Sequence, residues 1–168
     1  MIKHNSSSFS SKVLQDGLTF DDLLLLPDYS EILPHEANIS SFLTDKILLE
    51  TPLISAAMDT VTDSSMAIQM STLGGIGVIH KNFAPTEQAA EVKIVREKLG
   101  NSAFIAAAVG VTPLDFEQRI PQLVDASINV LVVDTAHGHS SSVISTIEKI
   151  KNKYQDSFQL IVGNIATG

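Results

Sequence analysis

From Thr51 onward, five short apolar runs without polar alternation punctuate the chain: TPLIS from Thr51, GIGVIH from Gly75, FIAAAVG from Phe104, NVLVVD from Asn129 and FQLIVGN from Phe158. A strand covered on both faces by other elements reads this way. The runs start 24, 29, 25 and 29 residues apart, the repeat length of a βα unit. Helical patterns fill the gaps. Asp63 or Ser64 caps a helix with Met66, Met70 and Leu73 on one face, and Thr86 with Glu87 opens a second that ends at Gly100. Thr112 and Pro113 form an N-cap and first-turn pair for the third. Ser140 or Ser141 opens the fourth, where Val143, Ile147, Ile150 and Tyr154 repeat at helical spacing. Pro121 falls inside the third helical pattern, so a kink or two short helices are expected there. Up to Glu50 the chain reads as an irregular arm, Ser-rich at first and then LTFDDLLLLPDY, where Pro27 stops whatever Phe20 to Leu26 begins.

Alternating strands and helices with near-continuous apolar strands imply a parallel sheet with helices outside. An eightfold (β/α)8 TIM barrel is preferred over an open doubly wound sheet. The first βα turn lacks GxGxxG, and polar residues gather after several different strands, as in barrel sites. Thr51 to Asn164 supply four units and a fifth strand, whereas a complete barrel takes eight units. The expected organisation is therefore an arm over residues 1–50 and the first half of a catalytic barrel over 51–168, with both outer strands left as unpaired edges. Expressed alone, such a half is expected to be aggregated or molten.

Composition narrows the function. The net charge of -8 and the lack of a Lys/Arg cluster argue against nucleic acid or an acidic membrane as partner. With no cysteine, these residues hold no disulfide, thiolate zinc site or thiol nucleophile. The start, MIKHNSSSFSSK, lacks the apolar core of a signal peptide, and no apolar run reaches the roughly 18 residues of a membrane span. A soluble, cytoplasmic protein is the resulting expectation.

The densest candidate chemistry follows the fourth apolar run, where Asp134, Thr135, Ala136, His137, Gly138 and His139 crowd a strand exit, the end at which parallel α/β proteins bind ligands. Asp134 either binds a ribose hydroxyl or begins the turn by accepting backbone hydrogens. His137, His139 and His80 have the composition of a metal cluster, yet equally serve as unrelated loop histidines. Asp134, His137 and Ser140 invite a hydrolase triad, against which stands Ser140 as a helix cap. Lys81 suits a Schiff base or plain solvation. Gly74, Gly75 and Gly77 precede a strand and indicate close helix packing instead of phosphate cradling. Gly163 and Asn164 end the fifth strand at ligand height, and Met58 follows the first, where it either meets a ligand or fills the core.

Taken together, LTFDDLLLLP (Leu18 to Pro27), TPLISAAMDTVT (Thr51 to Thr62), GGIGVIHKN (Gly74 to Asn82), VVDTAHGHS (Val132 to Ser140) and VGNIATG (Val162 to Gly168) resemble the amino-terminal half of bacterial-type inosine-5'-monophosphate dehydrogenases. The resemblance implies a barrel that oxidises IMP to XMP with NAD in guanine nucleotide synthesis, using a cysteine beyond the fifth strand, a monovalent cation (potassium) and a homotetramer. By the same resemblance, Asp134 holds the nicotinamide ribose, and Thr135, Ala136 and His137 line the cofactor side. Asn164 supports the nicotinamide or the purine, and Ala56 to Met58 border the IMP base. The family's cysteine loop, cation ligands, phosphate loops and flap belong beyond Gly168, so these residues alone are not expected to turn over. Leu99 to Ala103 join the second helix to the third strand directly, without the tandem CBS regulatory insert common in the family. The rivals are GMP reductase, which shares the barrel and cysteine chemistry; a metal-dependent barrel hydrolase built on His80, His137 and His139; and a purely binding or structural half-barrel.

Overall fold

Five parallel strands, in the spatial order of the sequence, carry the described part of the chain. These are β3 (Ile54–Ser55), β4 (Ile76–Ile79), β5 (Ala106–Val109), β6 (Val130–Val133) and β7 (Gln159–Val162), preceded by a hairpin of β1 (Ser41–Thr44) and β2 (Ile47–Leu49). The structure is a computed structural model and describes residues 19–165. The Ser-rich start, Leu18 and the final Ala166, Thr167 and Gly168 of the last matching block lie outside the described residues. The chain divides into two compact units, Met1–Ala37 and Asn38–Gly168. In the first, Thr19 closes a 3-10 turn over Phe20–Asp22, its amide and hydroxyl both donating to Asp22. Leu24, Leu25 and Leu26 are exposed in it.

The order β3-β4-β5-β6-β7, with every neighbour parallel, is that of consecutive βα units and matches the first five strands of a TIM barrel. β3 and β7 do not pair with each other, so the sheet stays open. α1 (Ser64–Thr72), α2 (Pro85–Leu99), α3 (Ile120–Asp125) and α4 (Ser141–Tyr154) form the connections. Alternate strand residues serve two separate cores. Ile79, Ala107, Val109, Leu131 and Val133 face the helices and meet Val92, Val95, Leu123, Val143 and Ile150. Each fully buried Ile or Leu there contributes roughly 1.5–3 kcal/mol. Ile76, Val78, Ala106, Ala108 and Val130 face the other way, toward what is a barrel's interior.

That inner face explains a hairpin that the apolar pattern does not suggest. Residues up to Glu50 read as an irregular arm, but Ser41–Leu49 form an antiparallel hairpin turned at Asp45 and Lys46. Its Ile47 and Leu49, 2% and 5% exposed, pack under the first residues of β4, β5 and β6. Two three-to-four-residue strands are too short to show a period, so tertiary burial decides them.

The expected helix starts hold with one correction. Asp63 caps α1 by accepting from the Met66 amide at 3.0 Å. α2 is capped at Ala84 with Pro85 in its first turn, not at Thr86, and Glu87 reaches back to the Ala84 amide at 2.9 Å. Gly100, at φ +72°, ends α2, and a single 3-10 turn over Gly100–Ser102 leads to β5. Ser140 sits at the α4 cap position, although its hydroxyl pairs with Ser142 and not with the helix amides. Pro121 does not split the segment into two helices: a π-helical turn over Asp115–Arg119 runs without interruption into the short α3, whose first turn holds the proline, with Arg119 and Ile120 both in helical conformation. Gly77 is a packing glycine, since a Cβ would lie 2.6 Å from Ala67 Cα of α1.

Candidate functional site

The loops leaving β3, β4, β6 and β7 all open at the carboxyl end of the sheet. After β3, the chain turns through Ala56 to Met58 and is held by Thr62, which is fully buried. Its hydroxyl donates to the Ala56 carbonyl at 2.6 Å and lies 2.8 Å from the Ser55 hydroxyl, while its carbonyl accepts from the His80 amide. Ala56 and Met58 themselves remain exposed. The β3 and β4 exits are thereby tied together.

After β4, the His80 ring is buried and stacked on Phe83 at 4.1 Å, and its Nδ1 accepts from the Asn82 amide, which leaves the proton on Nε2. Lys81 turns the other way. Its ammonium donates to the Asp134 carbonyl oxygen and stands 3.5 Å from Asp134 Oδ2. An ion pair exposed to this degree contributes about 0–1 kcal/mol of stability, so its consequence is geometric. With its amine engaged by Asp134, Lys81 fits the ion-pair reading better than the Schiff-base one.

Asp134 continues β6, its amide donating to Val109 of β5. Thr135 follows, and its hydroxyl oxygen is buried without a partner among the described residues. Ala136 and His137 are exposed beside it. Gly138 then reverses onto the β7 exit. Its amide donates to the Asn164 carbonyl at 3.0 Å, and a Cβ on it would fall inside the contact radius of the Gly163 carbonyl oxygen. Asn164 completes this contact from the left-handed region at φ +62°, which asparagine tolerates better than most residues. Asp134, Thr135, Ala136, His137 and Asn164 therefore form one continuous shelf. Lys81 bridges it to the β4 exit and, through His80 and Thr62, to Ala56 and Met58.

The three histidines of the metal reading are not brought together. His80 is buried against Phe83, and the His137 and His139 rings lie 6.5 Å apart, centroid to centroid. Among the described residues no group of three His, Cys, Asp or Glu side chains is placed to hold a metal ion. The Ser140 hydroxyl is paired with Ser142 and not with a histidine, so no triad forms around it.

Beneath the shelf lies a buried polar network that none of the candidate site motifs in the sequence announces. Gln88 of α2, fully buried, donates to the Ile79 and Ala108 carbonyls at 3.1 and 2.8 Å. Its carbonyl oxygen accepts from Arg119 at 2.8 Å. Arg119 also donates to Asp115 at 2.8 Å and to the Phe83 carbonyl at 3.0 Å. Burial raises the Asp115 carboxyl, but hydrogen bonds from the Thr112 hydroxyl and amide, from Arg119 and from the Gly110 amide outweigh it and leave the carboxyl below its ordinary value. The network pins the ends of β4 and β5 and the start of α2. Thr112-Pro113 followed by Asp115, with Arg119 four residues on, was its available signal.

At the opposite end of the sheet, a hollow of about 370 Å3 surrounds Arg96, Ser127, Asn129 and Phe158. The Arg96 guanidinium there donates to the Gly100, Ala103 and Ser127 carbonyls and to the Asn129 side chain, as a clamp on loops. The rim, by contrast, carries the Thr135 hydroxyl, without a partner among the described residues, and the partly exposed Asp134 carboxylate.

Known sequences are similar to this chain over most of its length. A family model described as the IMP dehydrogenase / GMP reductase domain matches residues 17–168. An inosine-5'-monophosphate dehydrogenase of Cryptosporidium parvum is 36% identical over 94% of this chain and 48% of its own length. One from Borreliella burgdorferi is 34% identical over 94% of the chain and 50% of its length. One from Aquifex aeolicus is 46% identical over 68% of the chain and 22% of its length. The chain spans about half the length of the first two relatives. With its strand order and its crowded rim, the chain belongs to the IMP dehydrogenase / GMP reductase family.

Proposed function

We propose that these residues are the front half of the catalytic barrel of an NAD-dependent IMP dehydrogenase, with residues 1–50 as its arm and hairpin. The observation that carries this reading is the shelf on which Asp134, Thr135 and Asn164 are held side by side by the Gly138 to Asn164 contact and the Lys81 bridge. The residues fit a dinucleotide. A ribose diol donates two hydroxyls that suit a partly exposed carboxylate, and the buried Thr135 hydroxyl lacks a partner among the described residues.

In this reading Asp134 holds the nicotinamide ribose, Thr135, Ala136 and His137 line the cofactor side, and Asn164 supports the nicotinamide or the purine. Ala56 and Met58 border the purine base. NAD, when bound, supplies the hydride acceptor. The residues of this chain orient the two rings, which is the entropic share of the catalysis. The nucleophilic cysteine of the family chemistry has to come from outside these 168 residues, which contain none.

The test is to supply the complete polypeptide with IMP and NAD and follow absorbance at the NADH band. IMP-dependent NADH formation is the expected result. Oxidation of NADPH driven by GMP, without IMP-dependent NADH formation, would replace the reading by GMP reductase. Neither activity would leave a binding or structural role.

A further inference from the structure

We propose that Lys81 is a positioning residue for the dinucleotide, acting through Asp134. The inference rests on the assignment of Asp134 to the cofactor ribose. Lys81 leaves β4 and Asp134 leaves β6, two strands separated by β5, hence about 10 Å apart. A long side chain is needed to cross that distance, and Lys81 crosses it over the exit of the alanine-rich β5.

The manner of contact gives the bridge its function. One ammonium addresses both the backbone carbonyl and a carboxylate oxygen of the same residue. Gripping both fixes the peptide that aims the Asp134 side chain as well as the side chain itself. Asp134 Oδ2 is drawn toward Lys81, so the other carboxylate oxygen is the one left for a hydroxyl donor. The preorganised carboxylate loses less rotamer freedom when a ribose arrives. The pair is partly exposed, at 31% for Lys81 and 41% for Asp134, so loss of the charge removes orientation and leaves folding intact.

The experiment uses the complete enzyme and the variants Lys81→Met, Lys81→Arg, Asp134→Ala and the double variant Lys81→Met/Asp134→Ala. Lys81→Met is expected to raise KM for NAD about tenfold, the change that a weakened hydrogen bond to a charged group brings. KM for IMP and the unfolding midpoint stay unchanged. Lys81→Arg, which keeps the charge and the donors, recovers NAD affinity to within about threefold. On the Asp134→Ala background, Lys81→Met adds less than about twofold, because a residue acting through another has nothing left to act on. Amide exchange of residues 134–139 in the Lys81→Met protein is faster than in the parent, a readout independent of turnover.

An active parent whose Lys81→Met variant raises both KM values equally, lowers only the unfolding midpoint, or carries its whole effect onto the Asp134→Ala background would overturn the positioning role and leave the functional reading standing. A parent without IMP-dependent NADH formation overturns the functional reading itself.

Discussion

Replacing Arg119 by methionine is the most informative perturbation of the scaffold beneath the rim. Methionine keeps much of the stem's volume but removes every donor. The Asp115 side chain, 9% exposed, loses its ion-pair partner at 2.8 Å, and the buried Gln88 oxygen and the part-buried Phe83 carbonyl lose theirs. Removing one partner of a buried pair typically costs about 3–5 kcal/mol. Asp115 keeps the Thr112 hydroxyl and amide at 2.6 and 3.1 Å, so the low end, about 3 kcal/mol, is expected. Adding Asp115→Asn removes the stranded charge, so the double variant should recover about 1 kcal/mol or more of that loss. Urea unfolding of the complete protein, followed by circular dichroism and by amide exchange in α2, measures both. The sign of the pH dependence follows from the depressed carboxyl. Its stabilisation is present above the ordinary carboxylate range and is lost as pH falls through the lower native value, so Asp115→Asn flattens the acid limb of the stability profile. A loss under about 1 kcal/mol for Arg119→Met, or a double variant less stable than the single, would refute the assignment of a charged, load-carrying centre to this network.

Three further outcomes test other parts of the account. Asp134→Ala should raise the NAD requirement of the complete enzyme about tenfold or more while the IMP requirement moves little; equal weakening of both removes the ribose role. Gly138→Ala should cost about 1–3 kcal/mol and weaken NAD, because its Cβ meets the Gly163 carbonyl and Ile165; a variant with unchanged melting and unchanged KM values would show that the two rim loops need no close contact. The 168 residues expressed alone should aggregate or stay molten, since Leu53 and Ile54 at the β3 edge are 60% and 51% exposed; a monomer with a single cooperative unfolding transition contradicts that.

Much of this was legible because the physics was local. Runs such as Val130–Val133 are apolar on both faces, and both faces are covered, one by the helices and one by the hairpin core. Asp63 and Gly100 announce helix ends through groups that act within one turn. The hairpin over Ser41–Leu49 was hidden because its strands are stabilised by residues 27 to 83 positions away, such as Ile76 and Val130, and not by a pattern of their own. In the site, Asp134 and Asn164 stood out by chemistry at strand ends. Their juxtaposition through Gly138, the Lys81 bridge and the Gln88 to Arg119 network depend on which strands neighbour one another, which no linear spacing encodes.

The central claim is that the exits of β4, β6 and β7 form one ligand-facing surface. Amide exchange of the complete protein, with and without saturating NAD and IMP, tests it most directly. The account predicts slowed exchange at residues 134–139 and 163–165, with the Arg96 and Ser127 end of the sheet unchanged. Protection confined to that opposite end, or none at the residues following Val133, would contradict it.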